Sequence, residues 1–183
     1  MCQPRLIQQV LDYLNLKKEN VKLKTTPMVA SHILHGHPKS ERFDQSFNYQ
    51  SIISKLIYLD KGSRPDISYA THQCARFAAD PSEEHGEVIR WLGRYLHTKK
   101  YKGMIYTPKK IQGLIVYIDA EFAGNWTCDE SVDVDTARSQ QGYIITYAGC
   151  PICWKAQHKF KYLLAQQRLI IVRYHKHYGR RYR

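Results

Sequence analysis

The chain has 183 residues, a hydrophobic share of 43% and a formal charge of +12, from 28 Lys or Arg against 16 Asp or Glu. That length holds one domain or two small ones, and no apolar run approaches the roughly 18 residues that a membrane span needs. The opening MCQPRLIQQ lacks the basic-then-apolar layout of a secretory leader, so an intracellular location, cytoplasmic or nuclear, is expected.

The charge is unevenly placed. Nine of the 28 basic residues and none of the 16 acids fall in residues 155–183, which leaves 19 against 16 in residues 1–154. The body is close to balance, and the tail carries three-quarters of the excess. A basic excess of this size points to a polyanionic partner. The five cysteines, Cys2, Cys74, Cys128, Cys150 and Cys153, are odd in number and lack small-domain spacing, so no disulfide framework is expected.

In chain order, PRLIQQVLDYLNL (residues 4–16) sets Leu6, Ile7, Val10, Leu11 and Leu14 on one helical face, with Pro4 suited to the first turn. A polar basic stretch follows. His32, His35 and His37 then cluster beside Gly36 and Pro38, but no carboxylate or Cys stands near them at ligand spacing, so a solvated loop is the better reading. Phe47, Ile52, Ile53, Leu56, Ile57 and Leu59 predict a helix that stops at Lys61–Gly62. Pro65 opens another, with Ile67, Ala70, Cys74 and Phe77 on one face, and Asp80–Pro81 ends it.

Ser82, Glu83 and Glu84 begin the next helix with acids at the positive end of its dipole. Val88, Ile89, Leu92, Tyr95 and Leu96 follow at helical spacing, and Lys99–Lys100 closes it. After Gly103, MIYTP predicts a short strand or edge. Arg76, Arg90, Arg94, Lys99 and Lys100, with Arg138 further on, are the candidate contacts to a nucleic-acid backbone. A solvated helix face is the plainer alternative for each of them taken singly.

The most informative stretch runs from Leu114 to Tyr147. It reads as an apolar strand ending in a carboxylate (LIVYIDAEF), a polar insert, and a second strand (GYIITYA). Candidate strands are Leu114–Phe122, Gly142–Ala148 and Pro151–Trp154. The insert holds Asp129, Glu130, Asp133 and Asp135 without calcium-loop spacing. Cys150 and Cys153 form a lone CPIC, better read as strand than as half a metal site.

Five blocks together carry a resemblance: FNYQSIISKLIYL, SRPDISYATHQCARF, HGEVIRWLGRYL, YIDAEFAGNW and TARSQQGYIITYAGCPICW. In order and spacing they resemble the C-terminal part of a copia-type retrotransposon Pol polyprotein, where the reverse transcriptase ends and the ribonuclease H domain begins. The resemblance covers roughly residues 3–154. It implies an α/β chain: residues 1–110 as a mainly helical thumb or connection region, and residues 111–154 as the first antiparallel strands of a truncated ribonuclease H-like fold.

The same resemblance assigns Asp119 as the first catalytic, metal-holding carboxylate. Glu121 stands where the family more often has a second Asp, and is read as supporting. The family's polymerase uses a paired-Asp motif, and this sequence contains no Asp-Asp pair, so polymerisation is not expected. Its ribonuclease H uses Mg²⁺ on an RNA–DNA hybrid, with two ions about 3.5–4 Å apart held by several carboxylates. In the family a further ligand comes from a helix that reads like S-S-T-E-A-E-Y. Residues 155–183 contain no acid, so the centre is expected to be incomplete and inactive.

The tail departs abruptly from the family pattern after CPICW. If each codon of Leu164–Arg183 is read displaced, taking its third base with the first two of the next, synonymous choices spell S-S-T-E-A-D-Y-S-A-L-S-Q-A-L-R-E-A-L-P. That is the missing helix with its Glu. Residues 155–183 are therefore read as a displaced reading frame, poorly ordered or weakly helical. The competing reading is a functional basic arm, with Tyr174, Tyr178 and Tyr182 among Arg173, Lys176, Arg180, Arg181 and Arg183. Three functions follow: an inactive enzyme remnant, a nucleic-acid-binding protein, and, far behind, metal storage by His32, His35, His37, Cys150 and Cys153.

Overall fold

A computed structural model describes residues 1–16, 22–29, 34–36, 41–109, 112–121, 140–158 and 172–174. Helix α1 spans Pro4–Tyr13 and buries Ile7, Val10 and Leu11. It stops short of the expected Leu16 for a local reason. Asn15 takes a left-handed φ of 52°, so the Leu16 N–H returns to the Leu11 carbonyl at 3.0 Å and the Asn15 N–H to Asp12 at 3.1 Å. This is a Schellman closure with Asn in the place glycine usually holds.

Helix α2 (Tyr49–Ser63) starts where the Asn48 side chain accepts from the Ser51 N–H at 2.9 Å. It runs through Gly62, where the sequence predicted a stop, because the real barrier is Pro65. A 3₁₀ turn, Pro65–Ile67, leads directly into α3, Ser68–Ala75.

Helix α4 spans Glu83–Thr98. At its start the buried His85 ring accepts the Ser82 N–H at Nδ1 (3.0 Å), stacks on Phe77 at 4.0 Å and faces the His35 carbonyl from Nε2 at 3.2 Å. The expected strand at MIYTP does not form. Instead, Met104 exchanges backbone hydrogen bonds with Met1, at 2.9 and 2.6 Å. A side chain at Gly103 would collide with the Met1 carbonyl, so the close approach depends on that glycine.

The sheet follows, in the order β3-β2-β1-β4, with every pairing antiparallel. Its strands are β1 (Leu114–Glu121), β2 (Gln140–Tyr147), β3 (Cys150–His158) and β4 (Val172–Tyr174). Strands β2 and β3 join through Ala148 and Gly149, with φ of 51° and 77°, the two positive values of a type I′ turn. A bulge interrupts their register between Ile145 and Thr146.

The tail differs from expectation where it is described. Val172–Tyr174 is a strand on the edge of β1, with Val172 opposite Val116, rather than disordered or weakly helical. Its local sequence, IIVRY, has the β-branched and aromatic character that suits an open strand edge.

The hydrophobic core belongs to the helices. Its buried cluster runs from Ile7 to Leu96, and in the sheet only Ile115, Cys150 and Trp154 are buried hydrophobics among the described residues. The chain is thus a mixed α/β molecule with a packed helical layer and a thinly covered sheet. Trp154 fastens one to the other: its indole N–H donates to the Asp60 carbonyl at 3.1 Å and to its carboxylate at 3.0 Å. Lys61 closes the clasp, 3.4 Å from the Trp154 carbonyl and 3.1 Å from the Asp60 carboxylate.

Candidate functional site

In antiparallel pairs, residues directly opposite share a face of the sheet. Asp119 lies opposite Gly142, Tyr117 opposite Ile144, and Ile144 opposite Trp154. These residues share the face that Trp154 docks against the helices. Between that face and the start of α3 lies a cavity of about 270 Å³, lined among others by Tyr69, Tyr117, Asp119, Ile144, Trp154 and Lys155. Asp119 is exposed at its edge, in front of a residue with no side chain. The strand therefore delivers a solvent-facing carboxylate to a concave surface.

One such carboxylate does not make a two-metal centre. Glu121 follows two positions along β1, but no group of three or more His, Cys, Asp or Glu at ligating distance occurs among the described residues. The donor set in hand does not fit a pair of hard cations, each of which takes several oxygens. The acids Asp129, Glu130, Asp133 and Asp135 lie outside the described residues, as do His32, His37 and Cys128. Cys150 is buried and Cys153 exposed, and both are free thiols.

The basic candidates differ in what surrounds them. Arg90 is occupied: it contacts Glu83 at 2.5 Å, Glu87 at 2.6 Å, Ser46 at 2.7 Å and Asp44 at 3.8 Å. Partial burial works against its charge, but Glu83 and Glu87 outweigh this and hold its pKa above the ordinary value. Arg76 lies over the Phe77 ring, bonded to the Gln73 side chain at 2.9 Å.

Lys100 donates to Gln8 at 2.6 Å, across to α1. Lys99 is exposed and Arg94 half-buried on α4. Arg138 lies outside the described residues. Of this set, Arg90 is a brace within the helical layer, and Arg76 stands apart beside α3.

Two constellations were not anticipated from the sequence. Arg64, fully buried, grips Asp66 with two parallel bonds of 2.9 Å and reaches the Lys99 carbonyl at 3.1 Å. Tyr95 donates to the same carboxylate at 2.6 Å, and Lys102 stands 3.4 Å away. Burial alone would raise the Asp66 pKa, but the Arg64 and Tyr95 donors outweigh it and hold the carboxyl at about 2. The second is the Asp60–Trp154 clasp. The Arg and Asp of SRPD and the Trp of CPICW were visible, but nothing local named their partners.

No family model matches the chain, and no solved structure matches it. Known proteins do. The Pol polyprotein of the retrovirus-related transposon TNT 1-94 from Nicotiana tabacum is 28% identical over 164 residues, 86% of this chain and 11% of that protein. The corresponding polyprotein of transposon RE1 from Arabidopsis thaliana is 31% identical over 157 residues, 86% of this chain and 10% of its own length.

A secreted RxLR effector protein, number 161, from Plasmopara viticola is 29% identical over 109 residues, 60% of this chain and 71% of that protein. The chain is a homologue of retrovirus-related Pol polyproteins from copia-type transposons. It spans about a tenth of the two plant polyproteins named here.

Proposed function

We propose that this retrotransposon-derived chain corresponds to the Pol segment joining the end of a reverse transcriptase to the start of a ribonuclease H domain. On this reading the helical layer is thumb or connection, and strands β1 to β3 open the ribonuclease H-like sheet. The observation that carries it is Asp119. It stands at the end of an apolar strand, opposite Gly142 and at the edge of a cavity, as the first carboxylate of such a centre would.

The chain is catalytically inactive by itself on this account. It lacks the paired Asp of a polymerase, and among the described residues Asp119 lacks the company that two Mg²⁺ ions require. The test is hydrolysis of an RNA–DNA hybrid in Mg²⁺, with Asp119→Asn beside the natural chain. Equal, background-level cleavage is expected from both. Cleavage by the natural chain that disappears in Asp119→Asn would overturn the inactive assignment.

What remains for such a chain is binding. The tail supplies nine basic residues without an acid, and a polyanion held through them dissociates with rising salt.

A further inference from the structure

The cavity beside Asp119 has a second chemistry that the carboxylate does not explain. Each wall carries an accessible tyrosine: Tyr69 from α3 and Tyr117 from β1, both 38% exposed. Ile144 and Trp154 complete an apolar lining, and exposed Lys155 stands at its lip. Two accessible tyrosines on opposite walls of a concavity can take a flat ring between them.

Cations gather on the Lys155 side. Lys61, with half its side chain exposed, contacts the Trp154 carbonyl at 3.4 Å, next to Lys155 in the chain. His72 on α3 lies within electrostatic reach of Arg76, Lys155 and Lys61, and burial together with these three cations holds its pKa below the ordinary value. The acid facing them is Asp60, already engaged by the Trp154 indole and by Lys61. The positive potential these cations set up at His72 is one that an anion laid along Lys61 and Lys155 would offset.

We infer that this seam binds a single-stranded polynucleotide, with one base between Tyr69 and Tyr117 and the flanking phosphates on Lys61 and Lys155. The inference rests on the Pol-derived reading and adds to it a strand type and a contact set. A cavity of about 270 Å³ has room for one base and its sugar but not for a paired duplex. Bases paired in a helix also offer no face to a side chain. Asp119, at another part of the same rim, repels phosphate and directs the backbone toward the lysines.

The test uses the full chain and a short fluorescent oligothymidylate, read by anisotropy, with inorganic polyphosphate as an anion that has no bases. Tyr69→Ala and Tyr117→Ala are each expected to weaken oligothymidylate binding on the order of tenfold and to leave polyphosphate binding unchanged. Tyr69→Phe and Tyr117→Phe keep the ring and are expected to bind as the natural chain does. Tyr58→Ala removes a ring that is 66% exposed on α2, outside the cavity, and serves as the control.

Replacing Lys61 and Lys155 together by Gln is expected to flatten the salt dependence by about 1.4 in log–log slope. Oligothymidylate binding that is unchanged in both alanine variants, or equally weakened in Tyr58→Ala, would overturn the inference and leave the Pol-derived reading standing. Failure to bind any polynucleotide at low salt, RNA–DNA hybrid included, would remove both.

Discussion

At the scale of single residues, the most consequential side chain is Asp66. It holds Arg64, which is fully buried, and receives the Tyr95 hydroxyl at 2.6 Å. Removing one member of a buried charged pair strands the other, so Asp66→Asn is expected to cost about 3–5 kcal/mol of stability, measured by denaturant unfolding. The pH dependence follows from the sign of the shift. Asp66 is held at about 2 against an ordinary 3.8, so its contribution is complete above 3.8 and is lost as pH falls toward 2.

In Asp66→Asn that portion of the acid dependence should vanish; an unaltered acid profile would contradict the assignment. The sequence shows Arg64 and Asp66 two positions apart in SRPD. It does not show Tyr95, 29 residues from Asp66, or that the guanidinium is sealed from water. Arg90 illustrates the opposite difficulty. Its position on a helix suggested a phosphate contact, and only the folded arrangement shows Glu83, Glu87 and Asp44 around it.

At the scale of elements, periodicity placed α1, α2, α4 and the three main strands well. Signals within a few residues govern those. The ends differed for equally local reasons: Asn15 closes α1 early, and Pro65 rather than Gly62 limits α2. The β2–β3 turn falls at Ala148–Gly149, so β2 ends one residue before the expected Ala148. What was not legible is the clasp between β3 and α2, because Trp154 and Asp60 are 94 residues apart. No pattern of spacing encodes that meeting.

The clasp gives a second measurable outcome. Trp154→Phe keeps an aromatic ring but removes the only indole donor to Asp60 among the described residues. A buried acceptor left unsatisfied costs about 1–3 kcal/mol, and the thin sheet should feel it first. Amide hydrogen exchange is therefore expected to quicken in β2 and β3 while α2 and α4 keep their protection. A uniform change across both layers would mean that the sheet is not a separately held unit.

At the scale of the whole molecule, the helical layer carries the core and the sheet presents Asp119. The buried hydrophobic cluster lies within residues 7–96, while the sheet leaves Leu114, Tyr117, Ile144, Tyr147 and Ile152 substantially exposed. Among the described residues such a sheet is only partly covered, as expected if the helix spelled in the displaced frame belongs against it. The third bases of the codons for Leu164–Arg183 decide that origin directly. The strand at Val172–Tyr174 shows that the tail's own sequence pairs with β1. Family resemblance was readable from five sequence blocks and is matched by the transposon homologues. The cavity beside Asp119, by contrast, exists only because the clasp brings α3 over the sheet.

Among the described residues, Asp119 presents a carboxylate without the partners of a metal pair. Calorimetric titration of Mg²⁺ into the full chain, beside Asp119→Asn, tests it without relying on activity. The same weak, featureless heat is expected from both chains. Two resolved binding steps in the natural chain, absent from Asp119→Asn, would show an assembled two-metal site and contradict it.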